Sequence, residues 1–170
     1  MKPMQNNNII LIGMPGCGKS TLGIELAETI GYGYIDSDSV IVAREGRPLS
    51  EIIADVGTEA FLDIEAKINT ELSACRCVIA TGGSVIYRDS AMQKLRQIGK
   101  IVYLKHSFET IARRLGDLKK RGVALKEGFT LKDLYEERTP LYESYADVIV
   151  ELENAPVADC VAKIMKALGK

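Results

Sequence analysis

The apolar run Ile9–Ile12 leads directly into residues 13–21, Gly-Met-Pro-Gly-Cys-Gly-Lys-Ser-Thr, and a helix-like stretch follows at once. Gly13 and Gly18 bracket four residues and are followed by Lys19 and Ser20, which is the spacing of a phosphate-binding loop. Few folds accommodate that order. The glycines let successive backbone N–H groups turn inward on phosphate oxygens, where side chains would obstruct them. A helix starting near Lys19 adds the positive end of its dipole. Lys19 can then reach the β- and γ-phosphates, and the Ser20 hydroxyl can ligate Mg²⁺. The expected ATP-binding residues of this loop are Gly13, Pro15, Gly16, Cys17, Gly18, Lys19, Ser20 and Thr21. A glycine-rich turn without a ligand has no need of strand, loop and helix in sequence.

Short β-rich runs alternate with helical patterns along the chain. The expected strands are Ile9–Ile12, Tyr34–Asp36, Cys77–Thr81, Ile101–Leu104 and Val148–Leu152. Their unbroken apolar character suits a parallel sheet covered on both faces. Between them, Leu22, Leu26 and Ile30 form one helical stripe ended by Gly31. Phe61, Ile64, Ile68 and Leu72 form another, with Thr58 as its expected N-cap. Further helices are expected over Ala91–Ile98, Phe108–Leu115, Leu131–Arg138 and Pro156–Leu168, Pro156 suiting a first turn. The alternation predicts an α/β fold: three layers, α/β/α, around a five-stranded parallel sheet with right-handed crossovers. Residues 1–170 read as one such domain, without repeats or low-complexity linkers. Gly116–Gly128 carries three glycines and no apolar periodicity, and reads as a mobile, positively charged lid.

Bulk properties narrow the function. Hydrophobic residues at 46% and charged residues at 26% are those of an ordinary globule. The net charge of −1 argues against a surface devoted to nucleic acid. No apolar run is long enough to span a bilayer, and the polar start does not read as a signal peptide. Cys17, Cys75, Cys77 and Cys160 lack paired metal-ligand spacing and read as reduced thiols of a cytoplasmic protein. The expected partner is a small-molecule substrate, without nucleic acid or membrane, bound by a monomer.

In parallel α/β sheets ligands bind beyond the carboxyl ends of the strands, so those ends carry the next candidates. The second strand ends in Asp36-Ser37-Asp38. An extended chain would point both carboxylates to one side. Asp36 can then hold Mg²⁺, while Asp38 accepts a proton from, or orients, an attacking hydroxyl. Alternatively Asp36 or Ser37 caps a helix beginning near Ser39, and the two uses are compatible. The third strand ends in Thr81-Gly82-Gly83-Ser84, where a ligand could approach the backbone. Arg121, with Lys120 as alternate, could bring positive charge to a transferring phosphoryl group from the lid. Arg138 could clamp an anionic substrate. His106, the only histidine, reads as a surface residue, and nothing supports a Ser–His–Asp triad.

Taken together, these motifs resemble those of shikimate kinases, small members of the nucleoside-monophosphate-kinase-like P-loop group. The similarity runs through the phosphate loop Gly13–Thr21, the acidic pair Asp36 and Asp38, and Gly57, Phe61 and Glu65 at their family spacing. It continues through Gly82-Gly83, the strand 102–104 leading to Arg113-Arg114, the lid arginine, and Glu137-Arg138 with Pro140, Leu141 and Tyr142. The resemblance implies transfer of the ATP γ-phosphate to the 3-hydroxyl of shikimate with Mg²⁺, in aromatic amino-acid biosynthesis. It places Asp38, Gly82 and Gly83 against the substrate, Arg138 on its carboxylate, Arg121 at the ATP phosphates and Arg114 against adenine.

The chain departs from that pattern at three places. Leu62 stands where the family has an arginine that pairs with the shikimate carboxylate, Ser84 replaces the third glycine of a triplet, and Gly122 follows Arg121 in place of proline. One lost charged hydrogen bond costs about 1.5–3 kcal/mol, one to two decades in affinity. Arg138, Arg44 and Arg47 are the candidates to compensate. The sequence therefore reads as an ATP- and Mg²⁺-dependent small-molecule kinase with Lys19, Asp38 and Arg121 catalytic and Ser20 and Asp36 on the metal. Two alternatives stay open: the same chemistry on another hydroxy acid or polyol, and a non-catalytic ATP-binding module.

Overall fold

A computed structural model describes residues 6–115, 123, 124 and 126–170. Its centre is a five-stranded parallel sheet of β1 (Asn8–Ile12), β2 (Gly33–Asp36), β3 (Cys77–Ala80), β4 (Gly99–Lys105) and β5 (Val148–Glu151), ordered β2-β3-β1-β4-β5. The register sets Ile10 between Ile79 of β3 and Ile101 of β4. All three side chains are wholly buried. Each such burial contributes about 1.5–3 kcal/mol, which is why these strands read as continuous apolar runs.

Helices cover both faces of the sheet. Helix α1 (Lys19–Ile30) packs against β2, β3 and α8 (Val157–Ala167). The other helices are α2 (Ser37–Glu45), α3 (Leu49–Val56), α4 (Thr58–Glu71), α5 (Asp89–Ile98), α6 (Phe108–Arg114) and α7 (Leu131–Tyr145). Helices α4 and α5 pack together, with α5 against β4. A second apolar cluster gathers Ile41, Ile52, Phe61, Leu62 and Ile68 from α2, α3 and α4 with Ala124.

Five local expectations change. Helix α2, expected to begin near Ser39, begins at Ser37 with Asp36 as its cap, and α3 is additional; both are short and separated by Gly46 and Pro48. Gly57 occupies the capping position of α4, and Thr58 is already its first helical residue. Pro156 caps α8 and lies outside its first turn. Asp38 lies within α2, so Asp36 and Asp38 do not share an extended strand. Helix α7 continues through Pro140 to Tyr145. An interior proline costs roughly 3 kcal/mol, and packing beyond it offsets that. The Tyr142 ring stacks on Tyr103 of β4 at 5.1 Å, and its hydroxyl donates to the Gly83 carbonyl at 2.6 Å. Of the expected lid, residues 116–122 and 125 lie outside the described residues.

Asn8 clamps the opposite edge of the sheet. Its Nδ2 donates to the carbonyls of Ala74 at 2.8 Å and Ile98 at 2.9 Å, and its Oδ1 accepts from the Cys77 N–H at 2.9 Å. Substitution by alanine strands three polar groups away from the site. Asn8→Ala should therefore cost about 2–4 kcal/mol, read as a lower urea midpoint with unchanged m.

Candidate active site

Because the strands run parallel, β1, β2 and β3 deliver their carboxyl ends to one edge, and a cavity of about 590 Å³ opens there. Its walls include Gly16, Gly18, Lys19, Ser20 and Thr21 from the loop after β1, Asp36 and Asp38 from the end of β2, and Thr81–Ser84 from the turn after β3. Arg114, Val123, Ala124 and Arg138 complete the far side.

The loop takes its shape from glycine. Gly16 and Gly18 hold φ of 79° and 92°, the left-handed region that side chains disfavour. Gly18 thereby caps α1 and aims the helix N-terminus at the cavity. Lys19 folds back, its Nζ donating to the carbonyls of Gly13 at 2.7 Å and Met14 at 3.0 Å. The Cys17 side chain is wholly buried beneath the loop.

His106 is buried, not on the surface as expected. It follows β4 directly, so the strand end carries it under the loop, where Nε2 lies 3.0 Å from the Cys17 carbonyl. A carbonyl only accepts, so Nε2 bears the ring proton. Burial and then the charge of Arg114 hold the imidazole below its ordinary pKa, as a neutral brace. On the other side Arg114 reaches the Gly16 carbonyl at 3.3 Å and the Asn154 amide oxygen at 3.0 Å.

Asp36 divides its carboxylate. Oδ1 accepts from the N–H groups of Asp38 and Ser39, capping α2. Oδ2 accepts from the Ser20 hydroxyl at 3.0 Å. Capping therefore leaves one oxygen beside Ser20, two hard oxygen donors of the kind Mg²⁺ prefers. Among the described residues no group of three His, Cys, Asp or Glu gathers as a self-sufficient metal cage. A pair that shares a magnesium ion with phosphate oxygens fits that donor set. Asp38 is largely enclosed, and burial, then the charge of Asp36, raise its pKa to about 6 against the pull of Lys19.

Gly82 and Gly83 bring the backbone close to four side chains. A Cβ on Gly82 would lie 2.5 Å from Glu65 Oε2 and 2.7 Å from Asp38 Oδ1. One on Gly83 would lie 2.8 Å from Pro15 and 2.9 Å from Arg138 Nη1. Arg138 is only 1% exposed, which sets it apart from a solvated surface arginine. Its Nη2 donates to the Ala124 carbonyl at 2.9 Å and its Nε to the Tyr87 hydroxyl at 3.3 Å. Arg44 and Arg47 are tied to Glu71 and Asp55, and neither lines the cavity. Leu62 belongs to the second apolar cluster. Arg121 and Lys120 lie outside the described residues.

Glu65 carries no role in the sequence reading, where it serves only as part of a spacing. It stands four residues after Phe61, on the apolar stripe of α4, and is 2% exposed. A carboxylate on a buried stripe was the available signal. Ser84 donates to its Oε1 at 2.8 Å.

Strand order, phosphate loop and strand-end acids define a P-loop kinase fold. A sequence model described as shikimate kinase matches residues 15–169. A shikimate kinase of Pseudomonas aeruginosa is 39% identical over 166 residues, 96% of each chain. One of Thermodesulfovibrio yellowstonii is 36% identical over 162 residues, 94% of this chain and 93% of its own. A solved shikimate kinase from Acinetobacter baumannii, in complex with shikimate, superposes with a TM-score of 0.88 at 33% identity, covering 95% of this chain and 92% of that one. The chain belongs to the shikimate kinase family.

Gly82→Ala forces a methyl group between Glu65 and Asp38. We expect a loss of about 1–3 kcal/mol in unfolding free energy, measured by denaturant titration.

Proposed function

We propose that this chain is a shikimate kinase, transferring the γ-phosphoryl group of ATP to a hydroxyl of shikimate. What supports this most is that Lys19, Asp38 and Arg138, a phosphate-binding cation, a carboxylate and an anion-binding cation, line one cavity. Loop amides and the N-terminus of α1 cradle the phosphates, and Lys19 swings from the Gly13 and Met14 carbonyls to the β- and γ-oxygens. Ser20 and Asp36 hold Mg²⁺, which when bound neutralises charge on the β- and γ-phosphates. Asp38 orients the acceptor hydroxyl in line and takes its proton. Gly82 and Gly83 let the acceptor lie against the backbone, and Arg138 meets its carboxylate. Arg114 supports adenine, and Arg121, outside the described residues, supplies further positive charge. The four unbridged cysteines among the described residues support a cytoplasmic setting.

Leu62 favours a second reading, in which a hydroxy acid or polyol replaces shikimate. With Leu62 packed in the second apolar cluster and both Arg44 and Arg47 engaged elsewhere, Arg138 is, of the three arginines named from the sequence to compensate, the one that lines the cavity. ADP release across a panel of alcohols separates the two. Saturation by shikimate at micromolar to low-millimolar concentration supports the first reading, and turnover of another alcohol alone supports the second. Tight ATP binding with no acceptor turned over would leave only a nucleotide-binding module.

Lys19→Ala and Asp38→Asn should each lower kcat by at least about a hundredfold, with circular dichroism and urea midpoint close to wild type. Near-normal turnover in both variants would remove these roles.

A further inference from the structure

Tyr87 has no part in the proposed mechanism, yet it meets Arg138 twice. It ends a single 3₁₀ turn, Val85–Tyr87, just beyond the glycines that follow β3. Its ring packs against the second apolar cluster, to which Leu62 belongs. The Arg138 guanidinium carbon lies 5.2 Å from the centre of that ring, and Arg138 Nε donates to the Tyr87 hydroxyl at 3.3 Å. The hydroxyl gives its own proton to Glu137 Oε1 at 2.7 Å. Lys126 Nζ approaches the other carboxylate oxygen, Oε2, at 3.1 Å. The Tyr87 hydrogen bond, aided by Lys126 against partial burial, holds the Glu137 carboxyl below its ordinary pKa. An ionised carboxylate only accepts, so the Tyr87 proton is committed to Glu137 and its lone pair is turned to Arg138.

We propose that Tyr87 is a positioning residue, fixing Arg138 with one arm on the cavity wall and so setting the selectivity of the site for an acceptor that carries a carboxylate. This deepens the kinase reading above and rests on it. All three nitrogens of the guanidinium are placed. Nε is on Tyr87, Nη2 is on the Ala124 carbonyl at 2.9 Å, and Nη1 lies 2.9 Å from where a Cβ on Gly83 would stand. Tyr142, the other hydroxyl beside Arg138, gives its proton to the Gly83 carbonyl. The ion pairs of the described residues include none to Arg138. Because the fork is planar and rigid, holding two arms aims the third. The ordering of a long side chain is thus completed on folding and is not charged to binding. A carboxylate gains fully from donors held in this way, whereas an amide offers one acceptor oxygen and no charge.

The test is steady-state kinetics with Mg·ATP for wild type and Tyr87→Phe, using shikimate and its carboxamide as acceptors. Phenylalanine keeps the ring and removes the hydroxyl. For shikimate kcat/KM should fall about tenfold, through KM, with kcat and KM for ATP within about twofold of wild type. For the carboxamide kcat/KM should stay within about twofold. Nitrogen-15 spectra of the ligand-free protein supply a second readout, with the Arg138 Nε–H assigned by the signal missing from Arg138→Lys. That proton should exchange with water about tenfold faster in Tyr87→Phe than in wild type. Unchanged exchange, or an equal fall in kcat/KM for both acceptors, would overturn the proposal. A wild type inert toward shikimate would instead overturn the kinase reading. Exchange is measured without any acceptor, so the two failures are distinct.

Discussion

Parallel pairing on both sides of β1 is the constraint from which the site follows. Because β3 and β4 flank β1 in register, the loop after Ile12, the turn after Ala80 and the segment after Lys105 leave the sheet at one edge. The phosphate loop is therefore walled by backbone from β3 and braced from below by His106 on β4. Thr81 fastens this corner, its hydroxyl donating to the Leu11 carbonyl at 2.8 Å. An antiparallel neighbour would send its turn to the other end and leave the loop open.

Electrostatically the cavity is two-sided. Around the loop, helix dipole and Lys19 offer positive potential suited to phosphate. A few ångströms away Asp38 and Glu65 crowd together, and enclosure raises both pKa values. Such a gradient suits transfer of a charged group onto a neutral alcohol, and water exclusion strengthens both halves. Arg138 is held by Tyr87, whose ring centre lies 5.2 Å from the guanidinium carbon, and by the Ala124 carbonyl. Its orientation is thus set before any ligand arrives, which lowers the entropy lost on binding.

Much of this was legible in one dimension. The phosphate loop, the five strands and the acids at positions 36 and 38 all followed from short-range patterns, since each is read within a dozen residues. What escaped reading depended on neighbours distant in the chain. His106 looked solvent-facing because a lone histidine after a strand carries no mark of the loop 89 residues away that covers it. Helix α7 was cut short at Arg138 because local propensity penalises Pro140, whereas Tyr142 packing on Tyr103 and Gly83 outweighs that penalty. Helix α2 was signalled only by its cap at Asp36, and α3 was missed, because each is too short for a persistent period.

By itself the sequence determined which chemical groups are on offer: a glycine-rich loop with its lysine, two aspartates at the end of the second strand and the arginine at position 138, all read from local spacing. It also set the sheet, since runs such as Ile9–Ile12 are stable only when both faces are covered. Tertiary structure alone decided which charges stand alone and which are matched. Arg44 and Arg47 were drawn into ion pairs outside the cavity, Arg138 was buried against it, and Glu65 was enclosed near Asp38 with no ion pair among the described residues. Those outcomes come from long-range packing, because desolvation and Coulomb energy depend on where side chains meet in space and not on their separation along the chain.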